Sequence, residues 1–343
     1  MPAFNTTSVE IIDLPDFSKL PEGLPHVLDS MSLAHALGIR NRTLMHAVIN
    51  RKDMYTQYTI PKKSGGTRSI HAPNSRLKYI QGKVLSVFLD QLDYPAHVGA
   101  YVKNRTTRDT AAVHAGKPLL IVIDLKDFFP STRRSWLRRY MQQSWHMPYK
   151  VASLLSDLMT VPVDFPYGRR YVVPQGAPTS GAICNLVADA RLDVLVMPIC
   201  EKYGMAYTRY ADDLAFSHAE RLVPAQTDVF IKEISQAIRK AGYTVNRKKL
   251  RVARSGRQQR LLGMTINERP NIMRLQSRRL RACLHQCRTK GFEAVAKAQS
   301  VESGAKLESH VEGLIAYYHM INPNKAAQFK EDLDKARVAQ ANV

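Results

Sequence analysis

The sequence predicts an α+β fold, on three observations. Residues 205–219 read MAYTRYADDLAFSHA, with β-forming residues on both sides of Asp212-Asp213. That is the pattern of strand, tight turn, strand, with the two acids at the turn. Leu119-Leu120-Ile121-Val122-Ile123 is a short, continuous apolar run closing on Asp124, as a buried strand should be. Val229 to Ala241 and the tail from Glu308 (Val311, Leu314, Ile315, Tyr318) instead space their apolar residues as amphipathic helices do.

The acids set the chemical question. Neighbouring carboxylates repel, and burial raises the cost unless a cation neutralises them. A hard divalent cation with oxygen ligands does so. If the two strands are neighbours, Asp124, Asp212 and Asp213 form one cluster. Three carboxylates on adjacent strands can hold two metal ions about 3.5–4 Å apart, the arrangement for in-line phosphoryl or nucleotidyl transfer.

The 343 residues suffice for a sizeable core and two or three subdomains. Lys plus Arg number 50 and Asp plus Glu 29, a net charge of +21, which favours an acidic polymer as partner. Of this, 14 basic residues against the single acid Glu268 lie between Arg247 and Lys290, so 14 − 1 = +13 sits in one segment. No apolar run reaches the length of a membrane span, and the N-terminus lacks a basic-then-apolar signal pattern. Four scattered cysteines do not make a disulfide framework, so a reducing, cytoplasmic setting is expected.

In chain order, residues 1–30 read as an irregular lead-in and Ser32–Ile49 as one or two short helices. Tyr58 to Ile70 reads as a hairpin with a Ser64-Gly65-Gly66 turn and Lys62, Lys63 and Arg68 near its tip. The residues alone fit a solvated hairpin or a phosphate grip, since Arg holds phosphate oxygens bidentately and Lys acts as a point charge. HAPNSRLKYIQGKVLSVFLDQL, from His71, reads as loop, then helix. Arg133, Arg134, Arg138 and Arg139 fall on an expected helix, facing either solvent or backbone phosphates. Thr179-Ser180 is expected to cap the helix carrying Asn185 and Leu186. Cys283, His285 and Cys287 offer three metal ligands where a closed zinc site needs four, and their helical spacing favours packing.

Three motifs in order resemble those of reverse transcriptases. Asp124-Leu125-Lys126-Asp127-Phe128-Phe129 looks like motif A and Tyr210-Ala211-Asp212-Asp213 like motif C. Pro174-Gln175-Gly176-Ala177-Pro178-Thr179-Ser180 looks like motif B in the form seen in bacterial retron enzymes. The resemblance spans most of the chain and implies a right-hand polymerase fold of fingers, palm and helical thumb. It implies Asp124, Asp212 and Asp213 as catalytic residues and, with the Leu125 carbonyl, as ligands of two Mg²⁺ ions. It turns the 58–70 hairpin into a loop gripping the incoming triphosphate, Arg68 foremost, with Lys62 and Lys63 not separable. It makes Phe129 the steric gate that favours dNTP over rNTP. Gln175 and Gly176 then contact nucleotide or template, Gly176 by letting the backbone approach closely. Gly242 to Lys249 resembles motif D, where Lys248 or Lys249 protonates the leaving pyrophosphate or binds phosphate.

Two departures from the retron pattern bear on the subgroup. Thr110 stands where Asn is usual ahead of Ala111 and His114, and His114 reads equally as a structural histidine. Leu261-Leu262-Gly263 stands where Val-Thr-Gly is usual near the primer grip. Arg274, Arg278, Arg279 and Arg281, on an expected helix, are the expected RNA-binding residues. The expected organisation is a lead-in (1–50), fingers (51–99 and 132–178), palm (100–131 and 179–256) and thumb (257–343). No second acidic cluster follows, so no RNase H domain is expected.

The implied function is that of a retron reverse transcriptase. It copies a cognate structured noncoding RNA into RNA-linked DNA from an RNA 2′-OH, with a defence effector as possible partner and no membrane. The alternatives are another bacterial reverse transcriptase, group II intron-like or of abortive-infection type, and a non-catalytic RNA-binding scaffold.

Overall fold

The computed structural model describes residues 20–62 and 65–341. In chain order the elements are α1 (Ser30–Ala36), α2 (Asn41–Ile49), β1 (Tyr55–Pro61), β2 (Thr67–Pro73), α3 (Ser75–Val84), α4 (Thr107–Ala112), β3 (Leu119–Asp124), α5 (Phe128–Ser131), α6 (Arg134–Ser144) and α7 (Tyr149–Leu158). Then come β4 (Val161–Phe165), β5 (Gly168–Val172), α8 (Ser180–Ala188), α9 (Val194–Lys202), β6 (Ala206–Tyr210), β7 (Asp213–His218), α10 (Pro224–Lys240) and β8 (Arg251–Arg254). Short strands β9 (Arg260–Leu261), β10 (Met264–Thr265) and β11 (Asn271–Ile272) lead into α11 (Arg274–Lys290), α12 (Phe292–Ala298), α13 (Gly304–Ile321) and α14 (Pro323–Ala341).

The chain divides into two compact units, interleaved in sequence. Among the described residues, one comprises 20–62, 65–95, 127–194 and 241–243; the other comprises 96–126, 195–240 and 244–341.

The second unit is built on an antiparallel sheet in the order β6-β7-β3-β8. β3 is central and buried along its whole length. Each of its Leu, Ile and Val side chains contributes about 1.5–3 kcal/mol by leaving water, and this explains the unbroken apolar run. Successive side chains of a strand point to opposite faces, so Leu120, Val122 and Asp124 share one face and Leu119, Ile121 and Ile123 the other. α10 covers the latter, where Phe230 meets Phe216 of β7 edge-on at 5.3 Å. On the Asp124 face, Leu120, Val122 and Ala215 join one core with Leu261, Met264, Ile272 and the buried sides of α11–α14. The expected thumb helices thus grow from the same core that carries the carboxylates.

The first unit holds the β1–β2 hairpin, with register from Tyr55↔Pro73 to Pro61↔Thr67, and the helices α1–α3 and α5–α8. Its turn glycines Gly65 and Gly66 sit at φ +86° and +78°, which an L side chain adopts only at a cost. A second hairpin, β4–β5, carries Tyr167 at its tip, almost fully exposed.

Of three local expectations, the short helices are met and the other two are corrected. Ser32–Ile49 is two helices split at Gly38, φ +64°. Thr179 stands at the N-cap of α8 without a side-chain cap bond; Ser180 Oγ instead donates to the Pro174 carbonyl at 2.7 Å, closing the loop on itself. The arginines near α6 are not one free basic face. Arg134 and Arg51 both pair with Asp157, at 2.7 and 3.0 Å, and Arg138 lies over Tyr149 at 4.6 Å.

Candidate active site

The site begins with register. Six pairs align β3 with β7, ending at Asp124↔Asp213. Paired residues of an antiparallel ladder point to the same face, so these two acids emerge side by side. Tyr210↔Asp213 closes the β6–β7 hairpin over Ala211 and Asp212. Ala211 takes φ 56°, a left-handed conformation costing an L residue roughly 1–2 kcal/mol. The Leu125 N–H donates to the Asp212 carbonyl at 2.9 Å, tying the turn to the end of β3. The structure therefore brings Asp124, Leu125, Asp212 and Asp213 to one sheet end.

The electrostatics are those of a crowded acidic site. Asp124 is buried, and Asp212 and Asp213 are half-buried. Burial, then the charges of Asp212 and Asp124, push the Asp213 carboxyl up to about 6, with Lys249 and Arg251 opposing. The three carboxylates act on one another at this sheet end, as the raised Asp213 shows, and with the Leu125 carbonyl they offer the hard oxygen donors that a divalent cation takes.

Asp124 is gripped from the segment after Tyr243, a feature sequence reading missed. Asn246 donates its side-chain N–H to Asp124 Oδ1 at 2.9 Å, and Lys249 Nζ meets Oδ2 at 2.6 Å. This contact separates Lys249 from Lys248, although both are exposed. The hydrogen bond to Asp124 raises the Lys249 ammonium above its ordinary range. The only signal in the sequence was the polar run Asn246 to Lys249; its distance of 122 residues from Asp124 hid the contact.

Of the remaining predicted residues of the nucleotide site, those described lie in the first unit. Lys62 and Arg68 are exposed on the β1–β2 hairpin, and Lys63 lies outside the described residues. The His71 N–H donates to the Gln175 carbonyl at 2.8 Å, lashing the 174–180 loop to β2. At Gly176 (φ +122°) an added Cβ would stand 3.0 Å from Ile70 and 3.2 Å from the His71 carbonyl. Glycine is needed there for the loop's approach to the hairpin. Phe128 and Phe129 divide as a core and a partly exposed ring: Phe128 is buried and stacks with Tyr243 at 5.8 Å, whereas Phe129 is half-buried.

His114 is fully enclosed. Its Nδ1 is 2.7 Å from Ser217 Oγ and its Nε2 2.8 Å from Thr208 Oγ1. Two hydroxyls hold it, in place of the backbone carbonyl usual for a structural histidine. Burial pushes its pKa down to about 3, keeping the ring neutral. It braces β6 against β7, the two arms that present Asp212 and Asp213.

On α11, Ser277, Leu280, Leu284 and Cys287 face the core, leaving Arg274, Arg278, Arg279 and Arg281 exposed. Arg274, Arg278 and Arg281 recur at four and three residues and so line one stripe. Cys287 is buried and Cys283 partly so, and burial pushes the Cys287 thiol up to about 12. Both serve packing.

Residues 60–266 match the family described as reverse transcriptase (RNA-dependent DNA polymerase), so the protein is an RNA-directed DNA polymerase with the right-hand fold. Among curated relatives, the chain is 36% identical over 329 residues to the retron Mx65 reverse transcriptase of Myxococcus xanthus, covering 91% of this chain and 73% of that one. It is 32% identical to the retron Mx162 enzyme of the same organism, covering 91% and 67%, and 29% identical to the retron Ec86 enzyme of Escherichia coli, covering 77% and 79%. The chain belongs to the retron-type reverse transcriptases. An RNA template goes with that family, as does general use of divalent metals. Among the described residues no helix is long and apolar enough to cross a membrane.

Proposed function

We propose that this enzyme copies one cognate structured noncoding RNA into single-stranded DNA. It primes from a 2′-OH of that RNA, so the product stays joined to it as a branched molecule. Its substrates are dNTPs, its setting is the cytoplasm, and its role is anti-phage defence beside an effector protein. The observation that carries the catalytic part is the pairing of Asp124 with Asp213, with Asp212 in the adjoining turn.

In this reading Asp124, Asp212, Asp213 and the Leu125 carbonyl hold two Mg²⁺ ions, which when bound supply Lewis-acid activation of the attacking hydroxyl and the triphosphate. The protein's own groups orient and select. Asn246 fixes the Asp124 carboxylate, and Arg68, Lys62 and Lys63 bind triphosphate oxygens. Phe129 excludes a ribose 2′-OH. Gln175 and Gly176 lie along the nascent base pair, and Lys248 or Lys249 holds a phosphate or gives the leaving pyrophosphate its proton. Arg274, Arg278, Arg279 and Arg281 grip RNA phosphates. Residues 51–99 and 132–178 act as fingers, 100–131 and 179–256 as palm and 257–343 as thumb, after a lead-in at 1–50.

Sequencing the nucleic acid that co-purifies with the expressed protein tests the proposal. One RNA species covalently linked to DNA through an internal 2′ position is the expected result. Mixed cellular RNA with no linked DNA would remove the retron-specific part and leave a general reverse transcriptase.

A further inference from the structure

We infer that Asn246 is the permanent positioning residue of the Asp124 carboxylate, and that Lys249 is an internal cation occupying the same carboxylate until a divalent metal displaces it. The inference rests on the reading of Asp124 as a metal ligand.

The segment from Thr244 to Asn246 continues the sheet past the end of β3. Val245 bridges Leu125, the Lys126 N–H donates to the Thr244 carbonyl at 2.8 Å, and the Asn246 N–H donates to the Asp124 carbonyl at 2.8 Å. The Asn246 side chain adds its bond to Asp124 Oδ1 at 2.9 Å. One residue thus holds both the backbone and the side chain of Asp124. The next residues form a single 3₁₀ turn, Arg247–Lys249, closed by the Lys249 N–H donating to the Asn246 carbonyl at 2.9 Å. That turn brings the ammonium back to Asp124 Oδ2 at 2.6 Å.

The two partners differ in what a metal would do to them. Each carboxylate oxygen has two acceptor sites, so a neutral amide on Oδ1 leaves room for a cation on either oxygen and is not repelled by one. Lys249 is a positive charge on a flexible stem with its side chain 52% exposed, while Asp124's is 6% exposed. Like charges at one carboxylate repel, and solvent is open to the lysine. Metal entry therefore expels Lys249 and leaves Asn246 in place. The lysine supplies a counter-charge that limits repulsion within the acid cluster in the metal-free protein, and its withdrawal frees it for phosphate.

The two roles predict opposite signs. Full-length protein is titrated with Mn²⁺, without nucleotide or RNA, and free Mn²⁺ is read by electron paramagnetic resonance. Asn246→Ala should weaken binding by about 10- to 100-fold, the usual effect of losing a hydrogen-bond partner of a metal ligand. Lys249→Met should tighten it. Asn246→Ser, which keeps a donor at shorter reach, should fall between wild type and alanine and serves if the alanine variant does not fold. Asp124→Asn is the control and should weaken binding strongly. If Asp124→Asn weakens binding while Asn246→Ala (or Asn246→Ser) and Lys249→Met leave it unchanged or shift it in the same direction, the inference is overturned and the carboxylate reading stands. If Asp124→Asn has no effect, both fall together.

Discussion

Replacing His114 by Phe tests how the hairpin bearing Asp212 and Asp213 is held. The ring volume is roughly kept, but both hydrogen bonds go, leaving the hydroxyls of Thr208 and Ser217 buried without this partner. A buried unsatisfied polar group costs about 1–3 kcal/mol, so two cost about 2–6 kcal/mol. The triple variant His114→Phe, Thr208→Val, Ser217→Ala removes the orphaned hydroxyls as well and should recover much of the loss. Urea unfolding at pH 7.5 reads both. A pH series adds an independent signature. The folded imidazole, pushed down to about 3 by burial and then by the Lys117 charge, stays neutral where an unfolded histidine, at about 6.5, takes a proton. Between those values the unfolded chain binds the extra proton. The contribution is therefore complete above pH 6.5 and is lost as pH falls through the window, by up to about 1.4 kcal/mol per pH unit. His114→Phe should flatten that part of the profile. A variant within about 0.5 kcal/mol of wild type, with an unchanged pH slope, would refute the bracing role.

Three further outcomes are expected. Gly99→Ala places a Cβ 2.1 Å from Thr110 Oγ1 and should destabilise the protein by more than about 2 kcal/mol, with Gly99→Ala/Thr110→Ala recovering most of it by thermal melting. Phe129→Ala should raise rNTP incorporation relative to dNTP in steady-state extension; an unchanged ratio in an active enzyme places the gate elsewhere. Changing Arg274, Arg278 and Arg279 together to Ala should weaken RNA binding. It should also flatten the dependence of log K on log salt by up to about three phosphate contacts, each worth roughly 0.7–0.9 in slope, whereas a solvated face would leave both unchanged.

Local pattern made much of this fold legible. An apolar run that ends on an acid can be a central strand only if both faces are covered, and β3 is buried throughout. Strand-forming residues around Asp212-Asp213 leave room only for a tight turn, and the hairpin follows. What the pattern hid lies in long-range convergence. Nothing near Asn246 announces that its amide meets a carboxylate 122 positions earlier. Lys248 and Lys249 are equivalent as letters and differ only because the 3₁₀ turn aims one at Asp124. His114 has hydroxyl partners 94 and 103 residues away. Thr179 carries the right residue type for a cap, but its loop is closed by Ser180 instead. The division into two interleaved units, with a boundary just after Lys126, also depends on contacts that no local stretch encodes.

Asp124 and Asp213, paired across β3 and β7, are proposed to perform the chemistry and not the RNA grip. The most direct measurement is single-turnover primer extension on an RNA template with Mg²⁺ for Asp124→Asn and Asp213→Asn, alongside RNA affinity on the same preparations. Extension should be abolished in both while RNA binding stays at the wild-type level. Extension near the wild-type rate by either variant, folded and bound to RNA, would contradict it.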